Sequence, residues 1–241
     1  MSGPGSYDFL AFNAPLSSGR ADALARSLVR KDPATVLDLG CGWGELLLRV
    51  VEASAGARGV GIDRDERLID RTARTASERG LAARVEFLVG DVRGSDATAE
   101  VVVCVGADHA FGDQADALGA LRGRVQTGGR VLFGTGFWER HPTDEQAAAV
   151  GMTPASIRGL ADLVDLAIAS GFRPLGIEAA NRDEWMAFET GYLADAEEWL
   201  VDHPDDPRAA EIRAGSDEHR AEWLRGYGDV LGFAYLTLGP A

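Results

Sequence analysis

Short apolar runs alternate with amphipathic stretches over the first 135 residues of the chain. Thr35-Val36-Leu37-Asp38-Leu39 is an apolar run cut off by glycine, the pattern of a buried strand. Runs of the same kind return at 58–62, 84–89, 100–105 and 130–134. Between them, residues 44–54, 65–79 and 113–125 read as helices. An earlier helix over 17–30 starts at a Ser17-Ser18 cap, carries Leu24, Leu28 and Val29 on one face, and stops before Pro33. Gly128-Gly129 marks a turn before the fifth run. Strands alternating with helices predict right-handed βαβ crossovers and a parallel sheet covered on both faces.

After Gly134 the rhythm changes. Residues 135–153 read as a long connection. Pro154 is placed to start a helix that Gly171 stops, and 173–180 reads as a sixth strand. Residues 181–228 read as helices, with Trp185, Phe188, Glu189 and Tyr192 on one face at i, i+3, i+4 and i+7. Residues 231–238 close the chain as a seventh strand.

Composition narrows the function. The chain has 241 residues, 24 Lys+Arg and 38 Asp+Glu, a net charge of −14. Such a surface repels polyanions, which argues against broad nucleic-acid or anionic-membrane partners. Apolar residues at 46% and charged residues at 26% are the balance of a globular protein. No apolar run reaches the roughly 18–20 residues that span a bilayer, and the N-terminus lacks the basic start and apolar core of a leader. The expectation is a cytoplasmic protein, monomeric or homodimeric. Cys41 and Cys104 are isolated and the four histidines scattered, so no metal site is expected.

The strongest chemical signal is Asp38-Leu39-Gly40-Cys41-Gly42-Trp43-Gly44-Glu45 at the end of the first strand. Glycines allow positive φ and close approach of a ligand to the backbone, and the next helix aims its N–H groups at that ligand. Two readings compete. A dinucleotide fingerprint needs G-x-G-x-x-G, but here the third glycine comes one place early, and Asp38 and Glu45 put acids where pyrophosphate would lie. The acids suit a ligand carrying an ammonium and a sulfonium. Gly59-Val60-Gly61-Ile62-Asp63 ends a second strand in an acid able to take ribose hydroxyls, and Gly90-Asp91-Val92 ends the third with another.

These motifs resemble those of the class I S-adenosyl-L-methionine-dependent methyltransferases, over residues 34–135. The resemblance implies a Rossmann-like sheet of seven strands, the last antiparallel. It implies a core at about 30–180 and 229–241, with cap elements at 1–29, 135–153 and 181–228. It implies S-adenosyl-L-methionine as cofactor and S-adenosyl-L-homocysteine as product. Asp38, Gly40, Cys41, Gly42, Asp63, Arg64, Asp91, Val92 and Gly106 are the candidate cofactor residues, Asp91 and Val92 for the adenine. The stretch 101–112 lacks the acid or Asn followed by Pro-Pro and an aromatic that marks methyltransferases acting on amino groups of DNA bases. A narrower likeness is to a group of bacterial small-molecule methyltransferases, through Asn13 to Ser17, the Gly40–Glu45 loop, Gly134 to Trp138, and Glu184-Trp185. Here Ala14 interrupts the Asn-Pro-Leu-Ser stretch, and Thr135 stands where a Glu is expected.

Methyl transfer is an in-line displacement at carbon, so the protein mainly aligns the partners. A hydroxyl acceptor also needs a base. His109, just after the fourth strand, is the candidate. Asp108 and His141 are weaker ones, and His203 and His219 read as surface residues. Tyr7, Phe111, Trp138, Trp185, Glu189 and Tyr192 are candidate acceptor-binding residues, with simple core packing as the competing reading for each aromatic. The expected acceptor is a small, aromatic or heterocyclic molecule. A protein or tRNA acceptor, or cofactor binding without turnover, remain alternatives.

Overall fold

The computed structural model describes residues 4–241. One seven-stranded sheet organises them, in the order β3-β2-β1-β4-β5-β7-β6. Its strands are β1 (Thr35–Leu39), β2 (Arg58–Asp63), β3 (Val85–Val89), β4 (Ala99–Val105), β5 (Val125–Trp138), β6 (Phe172–Ala179) and β7 (Leu231–Pro240). The first five run parallel; β7 pairs antiparallel with both β5 and β6. The chain leaves β1 toward β2 on one side and returns to β4 on the other, so a crevice opens at their carboxyl ends.

The helices are α1 (Ser18–Leu28), α2 (Glu45–Ala53), α3 (Glu66–Glu78), α4 (Gln114–Arg124), α5 (Asp144–Ala148), α6 (Leu160–Ala169), α7 (Arg182–Asp202) and α8 (Ala209–Arg225). One core layer packs α1, α2 and the end of α3 on the sheet through Leu24, Leu28, Leu47, Val51 and Ala76. The opposite layer packs α4 and α6 through Leu118, Leu121, Leu163 and Ala167. A third cluster, Trp138, Ala147, Trp223, Tyr227 and Val230, lies under the cap formed by α5 and α8. Among the described residues no helix is long and apolar enough to cross a membrane.

Two boundaries differ from the sequence reading. β5 does not stop at Gly134. It continues to Trp138 because β7 supplies a partner for every residue, down to Trp138 opposite Leu231. Residues 135–138 are therefore sheet, not cap. Likewise, Pro154 does not open a helix. Trp138 N–H donates to Arg158 O, Trp138 bridges Gly159, and the Trp138 indole N–H donates to Pro154 O at 3.0 Å. These bonds hold 154–158 out of helical geometry, and α6 starts after Gly159. The Gly128 turn is real (φ +77°), but it sits inside the β5 run, where the register with β4 shifts.

Glu184 fastens the N-terminal segment to the cap. Its carboxylate accepts Ser17 N–H, Ser17 O–H (2.6 Å), the Arg20 guanidinium (2.9 Å) and Asn181 N–H, so it caps both α1 and α7. Arg20 and Ser17 hold its pKa down at about 2, against the cost of burial. Glu184→Ala strands those donors. A loss of about 2 kcal/mol is expected, below the usual figure for a fully buried pair because Arg20 is partly exposed. Urea melts at pH 7 measure it, and an unchanged midpoint contradicts the fastening role. The wild-type contribution is present above the ordinary 4.5 and disappears as pH falls through about 2.

Candidate functional site

A cleft of about 700 Å³ lies at the carboxyl ends of β1 to β4. The turn after β1 shapes its floor. Gly40, Gly42 and Gly44 have φ of +79°, +54° and +71°, which side chains other than glycine rarely adopt. At Gly40 a Cβ would run into Ala107 on the neighbouring strand end. At Gly42 it would point into open space, so there the glycine serves conformation and ligand approach.

Three acids stand along this floor. Asp38 is 3% exposed, and no donor among the described residues reaches its carboxylate. Burial, together with the nearby Asp63, pushes its pKa up to about 8. Asp63 ends β2 and accepts two backbone bonds, from Gly42 N–H (2.8 Å) and Asp65 N–H (3.0 Å). It thereby fixes the glycine turn as well as facing the cleft. Asp91 caps the short turn Val92–Gly94, where Arg93 lowers its pKa to about 2. Glu45 differs from its sequence reading. Arg49 (2.7 Å) and Arg79 (2.5 Å) engage its two oxygens, so its charge at the start of α2 is neutralised. Burial and the acids push the Cys41 thiol well up, which keeps it protonated and unreactive.

The remaining walls come from Arg64, Val92, Gly106 and His109, and from a strap of residues 5–16 that lies over the strand ends. Trp43 ties the strap down: its indole N–H donates to Ala11 O at 2.6 Å, and the Tyr7 ring stacks on it at 6.1 Å. The Tyr235 hydroxyl donates to Pro15 O, and Arg71 donates to Tyr7 O. His109 is exposed at the rim, on the turn Asp108–Ala110. Its neighbour Asp108 points inward and accepts the Thr135 hydroxyl at 2.9 Å. Buried Gln114 donates to the same Thr135 oxygen and to Gly136 O. Thr135, at the position where a Glu was expected, thus anchors the turn that carries His109.

The sequence-predicted acceptor residues divide. Tyr7 walls the cleft. Phe111 and Trp138 do not: Phe111 packs on the α4 layer beneath the Arg124 guanidinium, and Trp138 is 6% exposed within the third core cluster. Trp185 bridges two core clusters, and its buried indole N–H has no partner among the described residues. Glu189 is 2% exposed and accepts from the Tyr227 hydroxyl and pairs with His219, while Tyr192 stacks on His219. His219 is therefore not a free surface residue. His141 is exposed and its ring nitrogen pairs with Pro142 O, and His203 stacks on Trp199. Among the described residues no cluster of His, Cys, Asp and Glu could hold a metal ion. Sequence reading missed Trp43 as a strap anchor, although its place between two cleft glycines was a usable signal. It had none for Tyr227.

Comparison with known proteins bears on the family and the fold. A family model described as a methyltransferase domain matches residues 36–129. The uncharacterized protein YjhP of Escherichia coli is 32% identical over 204 residues, covering 83% of this chain and 82% of YjhP. Its crystal structure superposes with a TM-score of 0.85 over 95% of both chains, at 28% identity. A SAM-dependent methyltransferase from Geobacter sulfurreducens, solved in complex with S-adenosyl-L-homocysteine, superposes with a TM-score of 0.87 over all of both chains at 27% identity. One from Thiobacillus denitrificans, with the same ligand, gives the same values.

Proposed function

Since the chain belongs to the class I S-adenosyl-L-methionine-dependent methyltransferases, we propose that it methylates a small aromatic or heterocyclic molecule at nitrogen or oxygen. The chain's own residues fit the cofactor. A buried carboxylate with no hydrogen-bond donor among the described residues, Asp38, suits an ammonium. A glycine turn with open space above Gly42 admits close backbone approach, and Asp63 stands at the end of the next strand. In this reading Asp38 faces the amino group and Asp63 the ribose. Asp91 and the Val92 N–H serve the adenine. Gly40, Cys41, Gly42, Arg64 and Gly106 form the walls.

When bound, the cofactor supplies an activated methyl carbon whose bond to sulfur breaks as the acceptor's lone pair attacks. The strap and Trp43 exclude water from above, and the strand ends fix the line of approach. For a hydroxyl acceptor, His109 accepts the proton; a ring nitrogen with a free lone pair needs no such step. The observation that carries the small-acceptor reading is the cleft itself. It lies beneath the strap of residues 5–16, and it sits on an acidic protein that repels RNA.

Methyl-labelled cofactor, offered with phenols, aromatic amines and N-heterocycles beside bulk tRNA and total protein, tests the proposal. Label in a small-molecule fraction is expected. Label confined to tRNA or protein contradicts it. His109→Ala is expected to slow phenol methylation about tenfold, since solvent reaches the rim and replaces part of the base's work, and to spare ring-nitrogen acceptors. Equal rates on both acceptor types would remove His109 as the base.

A further inference from the structure

A second polar cluster lies outside the cleft, on the inner face of the cap. Glu189 of α7 is nearly fully buried, yet it is a carboxylate, and burying one is costly unless it is paired. Its partners come from two other elements. His219 of α8 lies 2.8 Å from Oε2, and the Tyr227 hydroxyl, on the turn after α8, donates to Oε1 at 2.7 Å. Apolar residues of similar volume would hold α7 to α8 at least as well. The placement of His219 suggests what the carboxylate adds.

The His219 ring stacks on Tyr192, with centroids 5.0 Å apart and planes 22° apart. Tyr192 leans on Tyr7 of the strap at 5.5 Å, and Tyr7 stacks on Trp43 of the glycine turn. A continuous ladder of four rings therefore runs from the cap to the floor of the cofactor cleft. Its penultimate rung is under strain. Tyr7 has φ +55°, a left-handed conformation that costs a residue with a side chain, and such strain persists only where the surroundings impose it. Nearby contacts bring strap and α7 together at the same place. A Cβ at Gly191 would strike Leu10, and Asp8 N–H donates to Asp195.

We propose that Glu189 is a positioning residue for the cofactor cleft: by holding His219, it fixes the ladder His219–Tyr192–Tyr7–Trp43 and so sets the strap that roofs the cofactor. The inference rests on the reading of the cleft given above. The carboxylate is buried and is not part of the cleft lining. It acts by removing the rotational freedom of the imidazole on which the other rings stack, and a Tyr7 set in advance leaves less ordering to be done when ligand binds.

Calorimetric titration with S-adenosyl-L-homocysteine tests this, using the full-length chain. Glu189→Ala and Tyr192→Leu are each expected to weaken binding about tenfold, the equivalent of losing one stacked contact and its preorganisation. The double variant is expected to be weaker by about tenfold as well, because both changes break the same ladder. Tyr192→Phe, which keeps the ring, should restore affinity to within about twofold of wild type. Glu197→Ala removes another α7–α8 ion pair, to Arg220, away from the ladder, and should leave affinity unchanged.

Wild-type affinity in Glu189→Ala, even with a lowered melting temperature, would reduce Glu189 to a structural residue. So would an additive, roughly hundredfold loss in the double variant. If Glu189→Ala does not fold, Glu189→Gln takes its place, since its carbonyl can keep the Tyr227 bond while its NH2 turns a donor, without charge, toward His219. Wild-type protein that fails to bind the ligand removes the reading of the cleft and this inference together. Wild type that binds, with a Glu189 variant that binds equally well, removes this inference alone.

Discussion

Asp63→Asn is expected to weaken S-adenosyl-L-homocysteine binding by about 1,000-fold, although the side chain keeps its size. Both carboxylate oxygens already accept backbone N–H groups, from Gly42 and from Asp65. An amide has one carbonyl oxygen and one NH2, so Asn must present a donor to one of those N–H groups. The turn holding Gly40 and Gly42 then shifts, in the region where the backbone lies closest to the ligand. The remaining lone pairs of Asp63 also face the cleft, where ribose hydroxyls would donate. Two hydrogen bonds to a charged acceptor account for roughly 3–6 kcal/mol, which brackets a 1,000-fold change. Calorimetry on the wild type and the variant measures it. A loss under tenfold would mean that the sugar lies elsewhere.

The second large effect concerns pH. Among the described residues no donor reaches Asp38, and burial beside Asp63 raises its pKa to about 8, so the ligand-free protein holds it protonated near neutrality. An ammonium beside it favours the ionised form, and binding below pH 8 therefore releases a proton. The apparent affinity is expected to fall about tenfold for each unit below pH 8, about 100-fold by pH 6. Asp38→Asn binds more weakly at pH 8 and loses this dependence. Titrations in two buffers of different ionisation enthalpy report the proton directly. A wild-type profile flat from pH 6 to 8 contradicts the assignment.

The same group shapes stability. The folded protein keeps a proton on Asp38 that the unfolded chain gives up above the ordinary value of 3.8. Stability of the ligand-free protein thus declines as pH rises from about 4 to about 8, and Asp38→Asn removes the decline, raising the melting temperature at pH 8 by several degrees.

The elements that carry the cofactor reading were legible because their signals are local. Asp38 lies next to the end of an apolar run, Asp63 and Asp91 close the two that follow, and the three glycines of the first turn lie within five residues. The helical spacing of Trp185, Phe188, Glu189 and Tyr192 was legible too. Their rings do gather on one side, with Phe188 6.1 Å from Trp185 and 6.2 Å from Tyr192.

What escaped the sequence depends on distant partners. β5 runs on to Trp138 only because β7, almost a hundred residues later, pairs with it. The charge of Glu45 is cancelled in part by Arg79, which nothing in the loop motif indicates. Phe111 and Trp138 looked like pocket walls by position, but both rings pack inward. Glu189 gained His219 and Tyr227 through a helix-to-helix contact that periodicity does not encode.

A crystal structure of the protein with S-adenosyl-L-homocysteine, grown near pH 8, tests the account most directly. The account places the ligand's amino nitrogen and the Asp38 carboxylate about 3 Å apart, and puts both ribose hydroxyls within the same reach of Asp63. A nucleoside seated outside the β1–β4 cleft, or inside it with the sugar turned away from Asp63, would contradict it.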